Sequence, residues 1–286
     1  MSKLEAVNLS GPPASLGVLA FRGPDAARFL QGQLSADIEK LGVGASTLAG
    51  LHNPQGRVVA LLAIARHASD EFFAVLPQEL AGTVAQRLRK YLLRSKLEIV
   101  EIGAALQVVG SDGETAGLAS LAWGTRRMLL VPEERRGEFS CADSAAARWQ
   151  SADVAEGLPQ VYAATSETFV AQMLNLDLLG AIAFDKGCYT GQEVIARSHY
   201  RGRVKRRLQR WFTQISAPLR AGDAARSVDG RALSIVRVAP LASGQELLAV
   251  GPYMVSEDPP AVEGASSAES IVLLEGPLPL PYRLPE

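Results

Sequence analysis

The sequence predicts an α+β fold that ends in a separate all-β module, and three observations carry that prediction. The chain has 286 residues, which exceeds one small domain and fits two or three. Its earlier part alternates strand-length apolar runs with stretches of helical period. Past Arg210 short apolar runs alternate with Gly, Pro, Ser and Asp, the pattern of a small β-barrel from about residue 205 to the end.

Taken in order, Leu16 to Phe21 reads as a strand. Gly23-Pro24-Asp25 turns it into a helix, with Pro in the first turn and Asp at the positive end of the dipole. Phe29, Leu30 and Leu34 form the apolar stripe of that helix. Asn53-Pro54-Gln55-Gly56 is a turn joining Thr47 to Leu51 and Val58 to Ile64 as a hairpin. Glu71 to Leu76 is a further strand. Pro77 opens an amphipathic helix with Leu80, Val84, Leu88 and Tyr91 on one face. Leu97 to Ile102 and Leu106 to Val109 read as strands. From Ser111 to Ala147 the pattern weakens, with one clear strand at Arg127 to Val131. Thr165 or Ser166 is expected to cap a helix whose apolar positions are Phe169, Met173 and Leu174.

Hydrophobic residues make up 48% of the chain and charged residues 21%, which suits an ordinary soluble globular protein. A formal net charge of −1 argues against whole-surface binding of nucleic acid, so a polyanion must meet a local basic patch. The two cysteines, Cys141 and Cys188, lie far apart and form neither a disulfide framework nor a zinc spacing. The three histidines are scattered, and no metal site is expected. Residues 1–10 lack the features of a signal or transit peptide, and no apolar run reaches membrane-spanning length. The expectation is a soluble, cytoplasmic protein without membrane contact.

The densest chemical signal is Lys186-Gly187-Cys188-Tyr189-Thr190-Gly191-Gln192-Glu193. Gly187 and Gly191 permit sharp turns and close backbone approach to a ligand. Thr190 to Glu193 fits a capping box that opens a helix through Val194, Ile195 and Arg197 and stops before Gly202. Cys188 then sits just before a helix N-terminus, where free N–H groups favour a thiolate. Two readings follow: a reactive or cofactor-facing thiol, or a small buried hydrophobe.

A second signal is the acid-free run Arg197, Arg201, Arg203, Lys205, Arg206, Arg207 and Arg210, interleaved with His199, Tyr200 and Trp211. It is either a polyanion site, with Arg201 and Arg203 nearest the motif, or a solvated face at a domain junction. A third is Gln31-Gly32-Gln33, whose amides can offer paired donors and acceptors to a flat heterocycle or lie plainly on the surface.

Together these segments resemble the YgfZ-type folate-binding family, which is related to the T-protein of the glycine cleavage system. The strongest similarity runs from Asn175 to Leu208: Asn-Leu-Asp-Leu-Leu-Gly, then the octapeptide, then Ala-Arg, Tyr-Arg-Gly and Lys-Arg. Phe29-Leu-Gln-Gly-Gln-Leu with Asp37, Asn53-Pro-Gln-Gly-Arg57 and Gly157-Leu-Pro159 support it. The resemblance implies two interleaved α+β lobes and a β-barrel in a three-domain ring around a central folate site. It places a folate-binding region at 1–204, with lobe one at about 1–45 and 145–204 and lobe two at about 46–144, and the barrel at 205–286.

It also implies tetrahydrofolate as cofactor and a role in iron–sulfur cluster biogenesis or repair, with an indirect effect on tRNA modification. Assembly or client proteins are the implied partners, with weak tRNA contact through the 197–210 run. Folate contacts are expected at Lys186, Gly187, Tyr189, Gly191, Gln192, Glu193, Arg201, Gln31, Gln33, Asn53 and Arg57, with Cys188 as the thiol. The chain has Ala171 and Ala181 where the family often has Pro and Gly. It departs from the T-protein more sharply after Gly56, where Arg57-Val58-Val59-Ala60-Leu61 contains no acid. No carboxylate there can offset charge at a reacting folate nitrogen, so aminomethyltransferase activity is not expected. The alternatives are a folate-dependent one-carbon or methyl transferase acting on RNA or protein, and a binding module without chemistry.

Overall fold

The computed structural model describes residues 4–12, 14–111, 117–202, 204–215, 217–253 and 272–285. Strands β1 (Leu4–Asn8) and β2 (Leu16–Arg22) precede helix α1 (Ala26–Gln33). Strands β3 (Ser46–His52), β4 (Val58–Ala68) and β5 (Glu71–Pro77) lead into helix α2 (Gln78–Arg89). Then come β6 (Glu98–Glu101), β7 (Leu106–Ser111), β8 (Ala119–Trp123), β9 (Arg126–Pro132), β10 (Phe139–Cys141) and helix α3 (Asp143–Ala155). A stretch with 3₁₀ turns at Ala163–Thr165 and Ala171–Leu174 leads to helix α4 (Gln192–Arg201). Strands β11 (Arg206–Thr213), β12 (Ala224–Ser227), β13 (Ala232–Pro240), β14 (Gln245–Pro252) and β15 (Leu273–Leu278) complete the order.

The strands form a five-stranded sheet β3-β4-β5-β2-β6, a second one β10-β1-β7-β9-β8, and a closed barrel β11-β14-β13-β12-β15. The first sheet is a middle layer, because its strands are apolar on both faces. Leu19, Phe21, Phe72, Ala74 and Leu76 point to one core with Phe29 and Leu30 of α1 and Leu80, Val84 and Leu88 of α2. The alternate residues Val18, Ala20, Phe73 and Val75 point to the other core, against Val108, Leu121, Met128 and Leu130. A strand period of two, buried on both sides, reads as a continuous apolar run. Leu208, Val236, Leu248 and Val250 of the barrel join the first core, while Trp211, Ile235, Leu247 and Leu274 fill the barrel itself.

Asp153 locks the barrel to the second sheet. Fully buried, it accepts from Trp123 Nε1 at 2.7 Å and Arg126 Nη2 at 2.7 Å, and it pairs with Arg237 of β13. Arg126 also stacks over Trp149, 4.0 Å from the ring centroid.

Several local expectations are corrected. The helix expected after Thr165 or Ser166 does not form. The Val58 amide donates to the Phe169 carbonyl at 2.8 Å and the Glu167 amide to the Val58 carbonyl at 2.8 Å, so the segment is a turn, with Glu167 at φ 59°, held against the start of β4. Tyr91 falls beyond the end of α2 and is exposed rather than on its buried face. Sheet membership also cuts across the expected lobe limits, since β1 and β2 enter different sheets. β1 is recruited by parallel pairing to β10 and antiparallel pairing to β7, contacts more than ninety residues away in sequence.

Candidate functional site

The hairpin turn, the end of α1 and the octapeptide converge on one place. Asn53 builds the hairpin turn: its Oδ1 accepts the amides of Gln55 and Arg57, both at 3.0 Å. Gly56 then adopts φ 72°, and Gly191 adopts φ 82°. A Cβ on Gly191 would lie 2.5 Å from the Asn53 carbonyl oxygen and 3.0 Å from the Gly56 Cα. A Cβ on Gly56 would lie 2.9 Å from Val194 Cβ. Only paired glycines allow the turn and the octapeptide to meet this closely. Gly187, by contrast, faces open space, so the close-approach role expected of both glycines belongs to Gly191.

Lys186 makes the second junction. Its Nζ donates to the carbonyls of Gln31, Leu34 and Ala36, each at 2.7 Å. All three ammonium donors are thereby used on the orphan carbonyls at the end of α1. Burial pulls its pKa down to about 8, opposed by Asp37 and Glu39. Toward a ligand Lys186 therefore offers a field, not a hydrogen bond.

Ser35, which the sequence reading passed over, makes the third junction. It donates to the Ala181 carbonyl at 2.6 Å and accepts the Gly50 amide at 2.8 Å. Its signal was a small hydroxyl residue between apolar neighbours, too common to stand out.

The expected capping box is absent. Gly191 is the N-cap, α4 starts at Gln192, and neither Thr190 nor Glu193 makes a capping hydrogen bond. Gln192 instead accepts the Tyr189 amide at 3.3 Å. Cys188 is a free, exposed thiol three residues before the N-cap, so the buried-hydrophobe reading does not hold. Cys141 is also exposed, and partial burial pushes its thiol up. Tyr189 is buried, and burial raises its hydroxyl to about 12. Its ring lies 6.1 Å from that of His52, centroid to centroid, with the Lys186 ammonium 5.1 Å from its own centroid.

His52 was not singled out in the sequence. Its ring is buried, and neither nitrogen has a hydrogen-bond partner among the described residues. Burial pulls its pKa down to about 3, and the Gly50 carbonyl opposes this without reaching hydrogen-bond geometry to either nitrogen. His52 is thus a neutral imidazole.

The remaining residues sort by how they are used. Gln31 holds its own loop, accepting the amides of Ile38 at 2.7 Å and Glu39 at 3.2 Å and donating to Asp37 at 3.1 Å. Gln33 has no side-chain partner among the described residues and lines a surface groove. Arg57 donates to the Thr168 carbonyl. In the basic run, Arg207 forms a two-point pair with Asp177 at 3.0 and 2.9 Å, and Arg210 pairs with Glu246 at 2.6 Å. Asn175 (φ 57°) donates to the Leu208 carbonyl at 3.0 Å, tying the same junction. Arg197 and Arg201 are exposed and unpaired among the described residues, while Arg203 lies outside them. His199 stacks on Phe184 at 3.8 Å between centroids, with Tyr200 edge-on.

Residues 13–117 match the family described as GCVT N-terminal domain. The tRNA-modifying protein YgfZ of Enterobacter sp. (strain 638) is 32% identical over 222 residues, which cover 66% of this chain and 67% of that protein. The chain belongs to the YgfZ family. A second YgfZ relative, from Edwardsiella ictaluri (strain 93-146), is 33% identical over 219 residues. The match covers 65% of each chain, just under two thirds of that relative's length. The crystal structure of the glycine cleavage system aminomethyltransferase T from Bartonella henselae shares the fold. Its TM-score is 0.66 at 15% identity, over 88% of this chain and 79% of that one. The octapeptide is thus set at the meeting point of the GCVT-type domain and the segment leading into the barrel.

Proposed function

We propose that this chain binds tetrahydrofolate where the 53–57 turn meets the 186–193 segment. In this reading it serves as a cytoplasmic accessory protein in iron–sulfur cluster biogenesis or repair. It affects tRNA modification through cluster-dependent enzymes, which are its client partners. The 1–204 region is the folate-binding unit and 205–286 the barrel that closes it. Among the described residues no helix is long and apolar enough to cross a membrane.

The observation that carries the proposal is the convergence itself: Gly56 against Gly191, Lys186 on the end of α1, and Cys188 exposed beside both. The residues suit a flat heterocycle bearing donors and acceptors. Among the described residues His52 has two uncommitted ring nitrogens, the Tyr189 ring lies beside it, and the Asn53 side-chain amide donates no hydrogen bond. Tyr189, Asn53, Gln192 and Gly191 would hold the folate ring. Arg57, Glu193, Gly187 and Arg201, all exposed, would meet its extended end, and Gln31 and Lys186 would shape the wall behind it. Bound folate supplies a one-carbon carrier. The chain's own contribution is to hold it beside a solvent-accessible thiol.

No acid stands in the 57–61 stretch, which supports an accessory role over aminomethyl transfer. One thiolate cannot ligate a cluster alone, so Cys188 acts on a client or on folate rather than as a resident cluster site. The test is restoration of cluster-enzyme activity in cells lacking the protein, comparing wild type with Cys188→Ala. Failure of Cys188→Ala to restore activity is expected, and full restoration would reduce Cys188 to a bystander.

A further inference from the structure

We propose that the groove between α1 and the turn after α2 docks a single-stranded RNA segment. The groove has a volume of about 750 Å³ and is walled by Arg28, Gly32 and Gln33 on one side and Tyr91, Leu93 and Arg94 on the other. None of its lining residues belongs to the 197–210 basic run.

Its charge is the first argument. Residues 87–96 carry Arg87, Arg89, Lys90, Arg94 and Lys96 without an acid. Arg87 is held by Glu167 at 2.7 Å and Arg89 by the Ile99 carbonyl at 2.8 Å. The side chains of Arg28, Lys90, Arg94 and Lys96 pair with nothing among the described residues. The groove's acid, Asp25, already accepts the Lys96 backbone amide at 2.6 Å. In a chain of net charge −1 this is a concentrated patch of free cation, which phosphates complement.

Its aromatic and amide groups are the second. Tyr91 is 47% exposed and has no ring partner among the described residues, and the Gln33 amide has no hydrogen bond. A tyrosine face flanked by guanidinium groups takes an unstacked base, and a free amide reads its edge. Leu93, 92% exposed at φ 44°, holds this wall in a strained left-handed conformation. RNA rather than DNA follows from the tRNA-linked relatives. The proposal does not depend on folate binding. Lys186 braces the end of α1 whose residues Gly32 and Gln33 line the groove.

The test is fluorescence anisotropy of a labelled oligouridine of about ten nucleotides with the full chain, without folate, at about 50 and 200 mM salt. Salt-dependent binding is expected. Arg28→Ala with Arg94→Ala, and Tyr91→Ala separately, should each weaken it about tenfold, while Arg197→Ala with Arg201→Ala changes it less than about twofold. These are surface positions, and urea melts confirm that the variants fold. Absence of binding, binding untouched by the groove variants, or loss only in the Arg197/Arg201 pair would overturn the proposal. So would groove-dependent binding of a labelled acidic, leucine-containing peptide without RNA binding, which would assign the groove to a protein partner.

Discussion

Gly56 and Gly191 meet backbone to backbone, close enough that a Cβ on Gly191 would lie 3.0 Å from the Gly56 Cα. Gly191→Ala adds left-handed strain at φ 82° and a collision with the Asn53 carbonyl. We expect a loss of about 2–4 kcal/mol in urea unfolding. Gly187→Ala, in open space, should stay within about 0.5 kcal/mol. Equal effects at the two glycines would show that the contact is not what the octapeptide is built for.

Lys186→Met keeps the aliphatic stem but removes the donor shared by three carbonyls. Leaving these part-buried acceptors without a protein donor should cost about 2–3 kcal/mol. Hydrogen exchange should quicken at the end of α1 before it does in the barrel. A variant as stable as wild type would mean that water replaces the ammonium without penalty.

His52 gives a pH signature. Its folded pKa of about 3 lies below the ordinary value of 6.5, so between these limits the unfolded chain binds more protons. Stability then rises with pH across that window and is lost as pH falls through it, by about 1.4 kcal/mol per unit at its steepest. Urea midpoints of His52→Leu should be flatter than wild type between about pH 4 and 6.5. Parallel curves would contradict a neutral, buried imidazole.

Asp153→Ala leaves Arg126 and Arg237 buried without their shared carboxylate. A loss of about 3–5 kcal/mol is expected, with the barrel loosening from the second sheet. Arg207→Ala should likewise destabilise the fold through Asp177, whereas Arg197→Ala should leave stability unchanged. An Arg207→Ala protein of native stability would return that residue to the ligand-binding set.

The parts of this fold that were legible in sequence are those set by local chemistry. The Asn53–Gly56 hairpin, α1 after Pro24-Asp25, and the barrel strands from Arg206 onward all carry turn residues or strong periodicity. What was illegible depended on distant partners. β1 has no signal until β7 and β10 pair with it, α3 is too rich in alanine to show a stripe, and the turn at residues 166–169 is held in place by Val58. The site divides the same way. The octapeptide stood out by composition, yet its cap came from the left-handed Gly191 instead of Thr190. Lys186 looked like a ligand cation until three carbonyls claimed it. The basic run looked uniform until Asp177 and Glu246 separated its structural arginines from its free ones.

The central claim is that the convergence of the 53–57 turn with the octapeptide is a folate site beside, but not dependent on, the Cys188 thiol. Calorimetric titration of tetrahydrofolate into wild type, Cys188→Ala and Asn53→Ala tests it most directly. The account predicts saturable one-site binding to wild type, affinity within about twofold for Cys188→Ala, and a loss of about tenfold or more for Asn53→Ala. No saturable binding to wild type, or binding that Cys188→Ala abolishes while Asn53→Ala leaves intact, would contradict it.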